Sequence, residues 1–248
     1  MSENSLAIRK FSDLANPTRF LALADRLLPW LAGLTALFFA VGLWLSFATE
    51  GDYQQGETVR IMYVHVPAAW LSMMCYSVMA LAALGTLVWR HPLADVSSRA
   101  AAPIGACFTF LALVTGSLWG KPMWGTWWVW DARLTSTLIL FFLYVGFMAL
   151  QAAIDDPRRA DKAGAILALV GVVNVPIIYF SVQWWSTLHQ GASVSMTKAP
   201  SMATTMLAAM LLMVLAFWMY SIAVALARVR NIILERERQT EWVRHAVA

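Results

Sequence analysis

The chain is 248 residues long, 60% hydrophobic and only 13% charged, with a formal net charge of +4. That composition excludes an ordinary soluble domain and predicts an all-α polytopic membrane protein, a six-transmembrane-helix bundle with a tryptophan-rich outer-face segment, in one domain over residues 1–248. The positive charge follows from topology and is no nucleic-acid footprint, so no nucleic acid is expected as a partner, only the lipid bilayer and other proteins.

Residues 1–26 form a polar leader with Arg9, Lys10, Arg19 and Arg26. The apolar run after it is too long for a signal-peptide core, so the first span is expected to remain in the mature protein. Spans are expected near 27–48, 66–89, 100–118, 134–154, 163–185 and 202–227. Each approaches the roughly 20 apolar residues that cross about 30 Å, and charges mark the ends because one at the bilayer centre costs about 2.5–3.5 kcal/mol. Cys75 and Cys107 fall inside the second and third spans and read as small buried apolar residues. They form no Cys-x-x-Cys pair, which excludes covalent haem attachment of the CxxCH type.

The connections "RHPLADVSSR" and "DDPRRADK" are short and charged, as in a compact antiparallel bundle. They share one side with the leader and with the tail at 228–248, which reads as a charged helix continuing the sixth span. All but four of the 18 lysines and arginines lie on that side. The positive-inside rule therefore predicts cytoplasmic termini and leaves Arg60, Lys121, Arg133 and Lys198 outside. His91, in a cytoplasmic turn, and His245, near the end of the tail, read as structural.

The outer segments, near 49–65, 119–133 and 186–201, hold everything unusual. The second contains "KPMWGTWWVWDAR". An aromatic belt accounts for most tryptophans near a membrane boundary, such as Trp30, Trp44, Trp89 and Trp218. Trp124, Trp127, Trp128 and Asp131, however, stand at i, i+3, i+4 and i+7, with Gly120 and Pro122 as start signals. This predicts a short surface helix presenting a tryptophan plate to lipid, a protein or a porphyrin.

Two histidines narrow the choice. His65 precedes Pro67, which is expected to open the second span, and His189 follows the fifth, so both are expected at the outer boundary. Two imidazoles at one depth, flanking an aromatic plate, match the axial needs of a six-coordinate haem iron. Arg60 and Arg133 are the better partners for haem propionates, since guanidinium binds carboxylate bidentately. Lys121 and Lys198 suit headgroups, and Asp131 suits orientation of Arg133 or a ligand histidine.

With six spans and a histidine on each flank of "WGKPMWGTWWVWDAR", nearly the whole chain resembles the cytochrome c maturation protein C (CcmC) family, whose tryptophan-rich signature is called WWD. Larger relatives with that signature have more spans. The resemblance implies a haem-binding and haem-transfer protein of cytochrome c biogenesis in the bacterial inner membrane. It implies non-covalent haem b on the periplasmic side with His65 and His189 as axial ligands, and Trp119, Trp124, Trp127, Trp128, Trp130 and Asp131 as signature residues. Its implied partners are the haem chaperone CcmE, the ABC transporter CcmA and CcmB, and the small protein CcmD. It leaves enzyme status open, because the chaperone's covalent bond to haem forms on such proteins. The alternatives are a haem or solute permease subunit, for which only Asn174 and Pro176 in the fifth span hint at a broken helix, and a b-type cytochrome subunit.

Overall fold

The computed structural model describes residues 16–191, 193–194 and 199–247, with the side chains of 245–247 excepted. Lys198, the leader's Arg9 and Lys10, and the side chain of His245 thus lie outside the described residues. Apart from an isolated bridge between Asp52 and Gly56, all regular structure among the described residues is helical. Helix α1 spans Pro17–Ala48, and a 3-10 turn at Glu57–Ile61 leads into α2, Met62–Leu84, which ends in a wide π-type turn at Gly85–Trp89. Then follow α3 (Ala94–Trp124), α4 (Ala132–Ala153), α5 (Pro157–Gly171), α6 (Asn174–Trp184), α7 (Thr204–Arg236) and α8 (Glu241–Val247).

Counting α5 and α6 as one interrupted span, six helical segments are long and apolar enough to cross a membrane, and the chain is a multi-pass membrane protein. The interruption lies at Val172 and Val173. Asn174, buried beside it, donates from Nδ2 to the carbonyl of Ser136 at 2.8 Å. The polar group at mid-span is therefore satisfied within the bundle, as a packed kink requires.

Close approach of the helices depends on small residues. A Cβ at Gly105 would lie 2.1 Å from the Tyr144 ring, and one at Gly171 would lie 2.1 Å from the Tyr76 hydroxyl. These fully buried tyrosines meet edge to face with centroids 5.1 Å apart, and Tyr144 donates to the carbonyl of Ser72 at 2.7 Å. With Leu71, Met79, Leu140 and Phe147 they form a dense plug at the middle of the bundle.

One end of the bundle is tied by charge. Arg99 pairs with Asp161 at 3.1 Å, Arg230 with Asp25 at 2.7 Å and Arg236 with Asp95 at 3.1 Å. The last two join α7 to α1 and α3, because α7 runs well past its apolar stretch.

At the other end two expectations need correction. The tryptophan segment is no surface helix. Helix α3 runs through Gly120 and Pro122 to Trp124 and stops at Gly125, whose φ of 76° is the left-handed cap conformation and whose N–H bonds the Lys121 carbonyl. Residues 126–130 are not helical, and Asp131 starts α4 by accepting the Leu134 N–H at 2.8 Å. A helix stop and a helix start inside the motif break the face that Trp124, Trp127, Trp128 and Asp131 would have shared. Likewise Pro67 does not open the second span: α2 begins at Met62, which places His65 on the helix.

Candidate functional site

Between α2, α3 and α4 at one end of the bundle, the end of α6 and the segment after it lies a cavity of about 120 Å³. His65, Trp119, Trp124, Trp128, Arg133 and His189 all line it, with Gln55, Ser72, Met73, Met123 and Thr137 among their neighbours. Ser72, whose carbonyl accepts from Tyr144, lies in its wall. Gln55, Trp119 and Gln190 also line an adjoining chamber of about 1,100 Å³, and Trp119 Nε1 donates to Gln55 Oε1 at 3.0 Å in this shared wall.

The imidazoles of His65 and His189 both line the cavity, with ring centroids 6.4 Å apart and planes at 33°. Both have Nδ1 engaged. His189 Nδ1 lies 2.8 Å from the carbonyl of Gln190, which can only accept, so Nδ1 carries the proton. His65 Nδ1 lies 3.0 Å from Thr115 Oγ1, and that hydroxyl spends its proton on the Leu111 carbonyl at 2.6 Å, so here too Nδ1 is the donor. Each ring therefore presents an Nε2 lone pair, the state a metal requires. His189 is held below the usual imidazole pKa, first by burial and then by the positive charge of Arg133, which keeps it neutral.

Room for His65 is made by Gly116, where a Cβ would lie 2.9 Å from its Cε1, and Trp119 meets its ring edge-on at 5.8 Å. Trp124 lies against His189 at 6.3 Å. Trp128 has a fully buried Nε1 without a hydrogen-bond partner, and Arg133 gives one N–H to the Ile178 carbonyl at 3.0 Å while making no ion pair among the described residues. A buried donor without a partner and a guanidinium without an ion pair among the described residues, both belonging to the cavity wall, are suited to an anionic acceptor.

The remaining sequence candidates stand off the cavity wall. Trp127 and Trp130 are 53% and 76% exposed; Lys121 sits over the Trp127 ring and donates to the Gly125 carbonyl at 3.0 Å. Arg60 closes the C-terminus of α1, donating to the carbonyls of Ser46 and Phe47 at 3.0 and 2.6 Å while pairing with Glu57. Its Nε and Nη1 donors are thus engaged in the fold, and it does not line the cavity. Asp131 acts through backbone: besides capping α4 it accepts the N–H of Leu188 at 3.3 Å, next to His189. Thr115, Gly116 and Gln55 were not found from the sequence, because their roles arise from contacts between distant segments.

A family model described as heme exporter protein C matches residues 10–244. Among curated proteins, heme exporter protein C of Bradyrhizobium diazoefficiens is 61% identical over 90% of this chain and 85% of its own length. The protein of that name from Escherichia coli K12 is 50% identical over 93% of each chain, and that from Haemophilus influenzae 50% identical over 93% of this chain and 94% of its own.

Proposed function

Because the chain belongs to the heme exporter protein C family, we propose that it is a haem-handling protein of cytochrome c biogenesis that holds haem between His65 and His189 and passes it on. The observation that carries this reading is the imidazole pair with both Nδ1 atoms tied and both Nε2 atoms free. Two metal–imidazole bonds of about 2.0 Å across one iron, with about 1.1 Å from nitrogen to ring centre, put centroids about 6.2 Å apart. The 6.4 Å between the ring centroids supports the reading. Among the described residues no cluster of three or more metal-ligating side chains exists, and haem brings its own four equatorial nitrogens.

Arg133 and the Trp128 N–H serve the propionates, and Trp119 and Trp124 pack against the ring. The cavity is small for a macrocycle, so loading draws on the adjoining chamber through the wall formed by Trp119 and Gln55. The tyrosine plug supports a holding site at one end of the bundle rather than a continuous path through it.

The excess of arginine at the opposite end supports cytoplasmic termini and a periplasmic haem site in the bacterial inner membrane. The recipient is the haem chaperone CcmE, with CcmA, CcmB and CcmD as complex partners, and the bound group is haem b.

The test is the absorption spectrum of the purified protein with haem. The native protein is expected to give a low-spin spectrum that His65→Ala or His189→Ala abolishes and His91→Ala leaves intact. A low-spin haem retained in the double His65/His189 variant would overturn the assignment.

A further inference from the structure

We infer that Thr115, which does not line the cavity, is a positioning residue that sets the donor strength of His65 toward haem iron. This rests on the reading that haem is held between His65 and His189. A threonine hydroxyl has a single proton, and here the Leu111 carbonyl, 2.6 Å away, takes it. Toward His65 Nδ1, at 3.0 Å, Oγ1 is left only its lone pairs. The β-branched side chain is stiff at χ1, so the hydroxyl stays aimed at the imidazole.

Two consequences follow for His65. Its tautomer is fixed with the lone pair on Nε2, and the hydrogen bond from Nδ1–H raises the basicity of that lone pair. Ferric iron, carrying the greater charge, gains more from a stronger donor than ferrous iron does. Thr115 therefore favours the oxidised state and steadies the bond by which haem is kept until transfer. His189 has no equivalent side chain, since its Nδ1 partner is the carbonyl of its own neighbour. Chemical control of the ligand pair by a side-chain hydroxyl lies on the His65 side.

The neighbours fit this role. Gly116 leaves the space the imidazole occupies, and Ser117 donates to the Trp127 carbonyl at 2.8 Å, holding the tryptophan segment over the site. Three consecutive residues of α3 thus serve tautomer, room and cover.

The experiment compares purified wild-type protein, Thr115→Val and Thr115→Ser, each with haem. Optical spectra, ferric and ferrous haem affinities and the midpoint potential are measured. Thr115→Val keeps nearly the same volume without the acceptor. It is expected to stay low-spin while losing about tenfold more affinity for ferric than for ferrous haem, which raises the one-electron potential by about 59 mV. Thr115→Ser is expected to restore the wild-type potential. An unchanged potential in Thr115→Val, or a shift that serine does not rescue, would overturn the inference. Should the valine variant fail to accumulate in membranes, Thr115→Cys, with a weakly accepting sulfur, is expected to move the potential in the same direction, and no shift there has the same force. A wild-type protein without low-spin haem would instead overturn the histidine-ligation reading.

Discussion

Asp131 accepts the backbone N–H of Leu188 through one carboxylate oxygen, at 3.3 Å, while the other caps α4 on the N–H of Leu134, at 2.8 Å. One side chain thereby joins the helix that carries Arg133 to the segment that carries His189. Asp131→Ala removes both bonds: loss of the cap costs about 1 kcal/mol, and the His189 segment is released. Asp131→Asn retains a carbonyl for the cap but turns an N–H₂ donor toward the Leu188 donor. The alanine variant is expected to lose both thermal stability and haem affinity, and the asparagine variant mainly affinity, by about tenfold. Thermal unfolding and haem titration of the two variants check this; wild-type haem affinity in the asparagine variant would reduce Asp131 to a helix cap.

At Gly116 stability and binding should part company. Glycine inside a helix costs about 0.8–1 kcal/mol relative to alanine, but the added Cβ would stand 2.9 Å from His65 Cε1. Gly116→Ala is expected to leave the melting temperature unchanged or raise it, while displacing the imidazole and abolishing the low-spin spectrum. A normal spectrum would mean that the ring has room to shift and still reach iron.

The spans and the clustering of odd residues at one end were legible because bilayer thickness and charge cost act on composition alone. Helix ends were read less well. Hydropathy cannot see that α3 overshoots its apolar stretch, although Gly125 as a stop and Asp131 as a start were present in the motif and outweigh the i, i+3, i+4 spacing of its tryptophans. Arg60 shows a different gap between sequence and structure. A basic residue between two spans can serve the open carbonyls of α1 as well as a ligand, and its bonds to Ser46 and Phe47 become visible only once α1 packs beside the 3-10 turn. The link from Thr115 to His65 crosses between two helices, and no spacing rule in one sequence reports it.

The pH dependence follows from His189. Its pKa in the folded protein lies below the usual 6.5, so the folded state binds fewer protons than the unfolded chain as pH falls. Its contribution to stability is complete above about 6.5 and is lost as pH drops from there through the lowered pKa. Haem affinity should also persist below pH 6.5, where an ordinary histidine would already be protonated, and fall only on further acidification. Unfolding and haem titration between about pH 8 and pH 5, the range over which histidines titrate, test this, and His189→Gln is expected to flatten the stability curve in that window.

Trp128 separates the two roles of the tryptophan segment. Its Nε1–H is buried and unpaired, an arrangement that costs about 1–3 kcal/mol of desolvation. Trp128→Phe keeps most of the aromatic surface and deletes that donor, so the free protein is expected to be no less stable and even slightly more so. Haem binding should suffer, because a hydrogen bond to a charged carboxylate is worth about 1.5–3 kcal/mol, or roughly ten- to a hundredfold in affinity. Trp127 and Trp130, exposed and off the cavity wall, give the contrast. Their replacement by Phe is expected to leave haem affinity within about twofold, since no surface that grips the ring is lost. Side-by-side melting and haem titration of the three variants checks the split. Equal haem affinity in all three would mean that the buried N–H of Trp128 does not meet haem, and would leave Arg133 as the propionate's partner.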